Sequence, residues 1–292
     1  MKSSLKTILL TALLILAVFT GCSRQQHHTE NSKKIMATFY PLYIMLENIT
    51  EGASNVTLSM LAPPNTGCLH DYQLTTKDMK ALEHCDILVA NGAGMEDFLD
   101  KALEIKKDST IIASEDYPLV GGNAHVWVSP SGAIYQVNKI AHELAEFDSD
   151  NAQLYLSNAE SYINKLKLLS DEMHERLDRF EGTKVITFHE AFPYFASEFN
   201  LDLVAVIERD AGTEPSAKEL NDLINVIKNA QKDNGKVALF AEPQYSSSAA
   251  QVIAEETGLS IGELDPCVTG SLDKDSYLNA MEKNITVLEE LL

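Results

Sequence analysis

The chain alternates short apolar runs with longer helical patterns, and this rhythm occurs twice. Strand-like runs such as "KIMATFY", "DILVANG" and "AHVWVSP" in the first half, and "KVITF" and "KVALFAEP" in the second, are each followed by a segment of helical periodicity. Such alternation is typical of parallel sheets that are covered by helices. The sequence therefore predicts an α/β protein with two lobes, each with a parallel β-sheet flanked by helices.

A long amphipathic stretch separates the two halves and predicts a single helix over 148–181. Neither Gly nor Pro interrupts the stretch up to Phe180, and about 33 helical residues would extend roughly 50 Å. Apolar residues recur there at steps of three or four: Ala159, Tyr162, Ile163, Leu166, Leu169, Met173, Leu177 and Phe180. We expect one rigid helix that joins an N-terminal lobe (34–147) to a C-terminal lobe (182–292); a coiled-coil dimerisation helix is the alternative.

The first residues predict export and lipidation. Lys2 and Lys6 precede the apolar run Thr7–Phe19, which is too short to span a membrane comfortably. Small residues then lead to Cys22, so we interpret 1–21 as a lipoprotein signal peptide with Cys22 as the lipidated residue. An ordinary secretory signal or an uncleaved anchor is the alternative. The polar segment 22–33 predicts a flexible tether, which places the lobes outside the cytoplasm on a lipid anchor.

The formal net charge of −20 restricts the partners of the chain. A strongly acidic protein is repelled by nucleic acid and by anionic lipid headgroups. We therefore expect no nucleic-acid partner, whereas capture of a cation is compatible with this charge.

Four side chains with metal-binding chemistry lie at or just beyond the predicted carboxyl ends of strands. His70 follows "NVTLSML", His125 follows a glycine turn, His189 follows "KVITF", and Asp265 follows "LSIGEL". Ligands bind at these ends in open α/β sheets, and two of the four come from each lobe, so they would converge across a cleft between the lobes. Three imidazoles and a carboxylate suit Zn²⁺, and suit Mn²⁺ less well. The alternatives are ordinary loop histidines and a turn role for Asp265, which precedes proline.

Two cysteines lie close to these candidates in the sequence. Cys68 and Cys267 each stand two residues from a proposed ligand. They are candidates for accessory thiolate ligands or for a disulfide across the cleft mouth, and the alternative is that neither takes part. Cys85 precedes a buried run and is interpreted as a core residue.

Several motifs together resemble the metal-binding lipoproteins of zinc and manganese ABC importers. They are "TFHEAFPYFA", "AHVWVSP", "FAEPQYSS", "GTEPSAKEL" and the terminal "YLNAMEKNITVLEELL". The resemblance covers nearly all of the chain after the signal and implies two lobes joined by one rigid helix. It also implies metal ligands at His70, His125 and His189, with Asp265 completing the set. Zinc-type members have histidine at the third position and manganese-type members have glutamate, so His189 favours zinc.

The chain departs from this family near the proposed ligands. Asn123 replaces the aspartate of the family's Asp-Pro-His motif, Ser129 replaces another aspartate, and Leu69 replaces the proline before the first histidine. Residues 115–123 contain no histidine, so the His-rich loop of many zinc-type members is absent. Such changes around a ligand affect its orientation and thus metal affinity.

The resemblance implies a monomeric, non-enzymatic receptor that captures Zn²⁺ and delivers it to a cognate ABC permease, with the same role for Mn²⁺ as the first alternative. A zinc-dependent hydrolase is a second alternative. A metalloprotease motif H-E-x-x-H would begin at His189, but Pro193 occupies the position of its second histidine. A surface adhesin is a third, for which the sequence holds no specific signal.

Overall fold

The computed structural model describes residues 32–69, 72–207, 215–232, 236–243 and 248–292. The predicted signal peptide, Cys22, nearly all of the predicted tether and His70 lie outside these residues. No helix among the described residues combines the length and the apolar character needed to cross a membrane.

The first lobe contains a sheet of four parallel strands. In chain order the strands are β1 (Lys33–Ala37), β2 (Val56–Met60), β3 (Ile87–Ala90) and β4 (Thr110–Ile112). They lie in the order β2-β1-β3-β4. The α-helices of this lobe are α1 (Tyr40–Ile49), α2 (Thr76–His84), α3 (Asp100–Ile105) and α4 (Pro130–Phe147).

The second lobe repeats this topology. Its strands are β5 (Lys184–Thr187), β6 (Asp202–Val206), β7 (Val237–Ala241) and β8 (Ile261–Glu263). They are parallel and lie in the equivalent order β6-β5-β7-β8. The α-helices described in this lobe are α6 (Pro193–Glu198), α7 (Ala217–Lys232), α8 (Ser248–Thr257) and α9 (Ser276–Leu291). In both sheets the chain reverses its winding direction between the two central strands, and crevices for ligands form there.

The long helix between the lobes is α5, Ala152–Leu177. Its 26 residues extend about 39 Å, and it packs against α1 and α4 of the first lobe and α9 of the second. Its buried residues are Tyr155, Ala159, Tyr162, Leu166, Leu169, Met173 and Leu177. One apolar stripe therefore contacts both lobes. The helix begins four residues later than predicted because Asp148 ends α4 by donating its backbone N–H to Leu144.

The run "AHVWVSP" was predicted as a strand and instead contains a short 3-10 helix, Val126–Val128. The prediction was wrong because a short buried apolar run has the same periodicity in a strand and in a buried turn. This turn ends where α4 begins. Ser129 caps α4 by accepting the N–H of Gly132, and Pro130 occupies the first helical turn.

The largest hydrophobic cluster contains residues of both lobes. Trp127 lies in it, fully buried, with its ring centroid 5.0 Å from that of Phe39. Its indole N–H donates to the carbonyl of Pro266 at 2.9 Å, and the hydroxyl of Tyr277 donates to the Trp127 carbonyl at 2.9 Å. The two lobes therefore share a packed and hydrogen-bonded core, and this core adjoins His125.

Candidate metal centre

Cys68, His125 and His189 bring a sulfur and two ring nitrogens together between the lobes. One potential ligand atom from each lies within 4.8 Å of the others, and all three residues are buried. The Cys68 Sγ lies 3.4 Å from His125 Nε2 and 3.9 Å from His189 Nδ1. The two imidazole rings meet edge to face, with centroids 4.7 Å apart. This arrangement of sulfur and nitrogen donors can hold a metal ion.

The first lobe positions His125 through two asparagines. The side chain of Asn91, just after β3, donates to the carbonyl of Ala124 at 2.9 Å. The Asn123 Oδ1 accepts the backbone N–H of His125 at 2.8 Å and lies 3.1 Å from its Nδ1. Because this oxygen can only accept, Nδ1 carries the proton. In the neutral ring, the lone pair of Nε2 then points toward Cys68 and is available to a metal.

The second lobe supplies His189 just after β5 and Glu242 just after β7. Thr187 and Phe240 pair in the register of these neighbouring strands, so the residues that follow emerge side by side. The Glu242 Oε2 lies 3.4 Å from His189 Nδ1, and both side chains are almost completely buried. Glu242 lies in the run "FAEPQYSS", and no role was predicted for it from the sequence. A carboxylate directly at a strand end was the signal that could have identified it.

The electrostatics of the site favour positive charge at His189. Burial lowers the pKa of His189, but Cys68 and Glu242 outweigh burial and raise it to about 10. Burial raises the pKa of Glu242, and His189 partly offsets this effect. Groups that stabilise an imidazolium also stabilise a metal cation at the same place, because both are positive charges held in a medium of low polarity.

Asp265, the fourth predicted ligand, occupies a turn after β8. Its Oδ1 accepts the backbone N–H of Cys267 at 2.8 Å, and its backbone N–H and carbonyl both bond to the Asn284 side chain. It is not part of the three-residue cluster found among the described residues. This arrangement matches the alternative turn role, while binding of a metal by Asp265 stays a prediction. The same holds for His70, which lies outside the described residues.

Cys267 is buried in the same turn, and its Sγ lies 3.7 Å from the Asp265 carbonyl. Among the described residues, Cys68, Cys85 and Cys267 form no disulfide. The predicted alternative of a disulfide across the cleft mouth is therefore not formed in the structure.

A hydrogen-bonded contact joins the lobes beside the cluster. The Asn123 Nδ2 donates to the carbonyl of Glu190 at 2.7 Å, and the Tyr194 hydroxyl donates to the carbonyl of Asn123 at 2.6 Å. The backbone N–H of Val120 donates in turn to the Tyr194 hydroxyl at 3.2 Å. The segment that orients His125 is thus bonded to the segment that follows His189.

Curated relatives of the chain bind different metals. The zinc-binding lipoprotein AdcA of Streptococcus pneumoniae serotype 4 is 28% identical over 312 residues, which cover 98% of this chain and 60% of AdcA. The manganese-binding lipoprotein MntA of Halalkalibacterium halodurans is 24% identical over 288 residues, covering 94% of each chain. The chain spans about three fifths of the length of the AdcA relatives it matches.

The fold has well-matched counterparts among solved structures. The SBP FpvC from Pseudomonas aeruginosa, in complex with Mn²⁺, aligns with a TM-score of 0.80 at 29% identity, covering 89% of this chain and 98% of FpvC. This likeness confirms the predicted fold of two α/β lobes with a long helix between them. Residues 35–291 match the sequence pattern of one family. The chain therefore belongs to the ZnuA family, the periplasmic component A of the zinc-uptake complex.

Proposed function

We propose that the chain is an extracytoplasmic receptor that captures Zn²⁺ and delivers it to a cognate ABC permease. The observation that carries this proposal is the convergence of His125 and His189, one from each lobe, on a buried site that favours positive charge. The family match supports the receptor role. The sequence-predicted lipidation of Cys22 and the tether after it would hold a monomeric receptor at the membrane beside its permease.

The chemistry of the donors supports zinc as the substrate. Imidazole and sulfur donors suit Zn²⁺, whereas Mn²⁺ prefers carboxylate, carbonyl and water oxygens. Because MntA is a manganese-binding lipoprotein and FpvC forms a complex with Mn²⁺, capture of Mn²⁺ in the same receptor role is the alternative. We keep His70 and Asp265 as candidates for the remaining position of a four-coordinate site, on the sequence argument and the family resemblance alone.

A receptor also explains the local sequence better than a hydrolase does. Pro193 starts α6 at the position where a metalloprotease motif would place its second histidine. A metal enclosed between two lobes that share a core is held rather than offered to a second substrate. We therefore expect no hydrolytic activity from the zinc-loaded protein. Metal-dependent hydrolysis that is lost in His189→Ala would contradict this proposal.

A competition titration tests the metal assignment. Metal-free protein is titrated with Zn²⁺ and Mn²⁺ against a chromophoric chelator, alongside His189→Ala and a control, His142→Ala, at an exposed position of α4. We expect zinc to bind far more tightly than manganese. His189→Ala should weaken zinc binding by more than the ~10- to 100-fold that loss of a group supporting a ligand costs, and His142→Ala should not change it. Preference for manganese, or unchanged zinc affinity in His189→Ala, would overturn the assignment.

Delivery to a permease is tested in cells. Deleting the gene should reduce zinc accumulation at low external zinc, and the wild-type gene, but not the His189→Ala gene, should restore it. Tight zinc binding in vitro combined with unchanged zinc uptake after deletion would contradict the transport role while leaving the binding site in place.

A further inference from the structure

We propose that Cys68 binds the metal directly as a thiolate, so that the centre combines sulfur with imidazole. The proposal rests on the proposed function, because it assumes that this cluster is the metal site. It differs from the ligand set that the family resemblance implies, in which three histidines and an acidic residue hold the metal. It also identifies the substrates as borderline-soft divalent cations such as Zn²⁺.

The distances around the Cys68 sulfur fit a tetrahedral metal site. Zinc–sulfur bonds of about 2.3 Å and zinc–nitrogen bonds of about 2.0–2.1 Å at tetrahedral angles place the sulfur and each nitrogen roughly 3.6 Å apart. The measured separations are 3.4 Å to His125 Nε2 and 3.9 Å to His189 Nδ1. The sulfur therefore already lies close to the distance from each nitrogen that a shared metal ion would require.

The surroundings distinguish Cys68 from the other cysteines that the structure describes. The Cys85 Sγ donates to the carbonyl of Leu82 within an apolar cluster of the first lobe. The Cys267 Sγ faces the carbonyl of Asp265 in the turn after β8. The Cys68 sulfur instead contacts one imidazole from each lobe. Two ring nitrogens converging on a buried sulfur form a ligand set, whereas each of the other two sulfurs faces a backbone carbonyl close to it in the chain.

A thiolate ligand has consequences for charge and for selectivity. The protons on Cys68 Sγ and on His189 Nδ1 pass to solvent as the metal–sulfur and metal–nitrogen bonds form, and the bound thiolate cancels one of the two charges of the cation. Glu242, beside His189, places a second acidic side chain close to the site. Thiolate favours zinc over manganese, because Mn²⁺ binds best to oxygen donors. We therefore assign to Cys68 the discrimination between these two metals.

Cobalt substitution tests the assignment, since Co²⁺ bound to thiolate shows an intense sulfur-to-metal charge-transfer band in the near ultraviolet. Metal-free wild-type protein with one equivalent of Co²⁺ should show the band. Cys85→Ser and Cys267→Ser should retain it, and Cys68→Ser should lose it while zinc still binds. Loss of the band in Cys267→Ser with retention in Cys68→Ser would overturn the assignment to Cys68.

X-ray absorption of the zinc-loaded wild-type protein provides a measurement that needs no variant. One Zn–S distance of about 2.3 Å is expected. A shell of nitrogen and oxygen alone would overturn the thiolate proposal but leave the zinc receptor standing. Failure of the wild-type protein to bind zinc or cobalt would instead overturn the proposed function itself.

In competition titrations, Cys68→Ser should lower the ratio of zinc to manganese affinity at least about tenfold, as expected for loss of the soft donor. An unchanged ratio would contradict the selectivity role.

Discussion

The side-chain amide of Asn123 forms hydrogen bonds through both its oxygen and its nitrogen at the boundary between the lobes. Its oxygen accepts from the backbone and faces the ring of His125, and its nitrogen donates to the carbonyl of Glu190, the residue after His189. These partners fix the orientation of the amide, because only the oxygen can accept and only the nitrogen can donate. An aspartate at position 123, as in the family's Asp-Pro-His motif, could orient His125 equally well, but its carboxylate could not donate to the carbonyl of Glu190.

We expect Asn123→Asp to speed zinc release while preserving the coordination of the metal. The carboxylate still accepts from His125, but the bond to Glu190 is lost and two acceptors face each other. The expected loss of affinity lies within the ~10- to 100-fold range for a group that supports a ligand, with most of the effect in the dissociation rate, because the lost bond joins the lobes around the site. Stopped-flow transfer of zinc to an excess of chelator measures this rate.

Asn138→Asp is the matched control for the Asn123 variant, since it adds the same charge at an exposed position of α4. It should release zinc at the wild-type rate. The cobalt spectrum of Asn123→Asp should resemble that of the wild type, which separates a change in release from damage to the site. An unchanged release rate in Asn123→Asp would show that the bond to Glu190 does not hold the closed site together.

At the scale of single residues, the sequence located part of the candidate site. The sequence predicted that His125 and His189 would approach each other from the two lobes, and the structure brings them together with Cys68. The predicted strand-end position of His125 was wrong, because His125 precedes a 3-10 helix. Glu242 was missed although it directly follows a predicted strand, because it is one of 43 acidic residues in the chain and belongs to no spaced motif. Its importance depends on the pairing of β5 with β7, which is a property of the sheet. Proximity alone leaves the ligand roles of all these residues as proposals.

At the scale of elements, periodicity predicted the long helix well and the buried runs less well. The stripe of apolar residues in α5 extends over about six turns, and a pattern of that length has no good alternative. A run as short as "AHVWVSP" fits a strand and a buried turn equally well, and the capping of α4 by Ser129 decides between them. Helix ends likewise depend on side-chain hydrogen bonds, such as those that Asn151 and Tyr155 donate to Asp148.

The stripe on α5 offers a matched pair of substitutions. Leu166 is fully buried in the cluster that both lobes share, whereas Leu168, two residues along the same helix, is 70% exposed. Leu166→Ala should lower the free energy of unfolding by about 2–5 kcal/mol, because it removes buried methyl groups and leaves a cavity. Leu168→Ala should change it by no more than about 0.5 kcal/mol. Urea denaturation followed by circular dichroism measures both. Equal effects would show that the stripe is not the packed face of the helix.

At the scale of the whole molecule, the shared core couples the two lobes and the metal site. Trp127 is the only tryptophan of the chain, and it contacts Phe39 in the first lobe and Pro266 in the second. Its ring also lies 5.2 Å, centroid to centroid, from that of His125. Its fluorescence therefore reports on the interface between the lobes and on the floor of the site at once.

The second lobe also has a hydrophobic cluster of its own, formed around Phe188 and Leu239, so independent unfolding of that lobe is a physical alternative. We expect the shared core to prevail, with tryptophan fluorescence and far-ultraviolet circular dichroism giving coincident unfolding curves for the metal-free protein. A circular dichroism step without a fluorescence change would instead show that the second lobe unfolds alone.

Zinc at 100 times its dissociation constant should add about 2.7 kcal/mol to the free energy of unfolding. It should shift both curves together, because the proposed ligands come from both lobes. His189→Ala should keep the coincidence and lose the shift, which separates the coupling of the lobes from the binding of the metal.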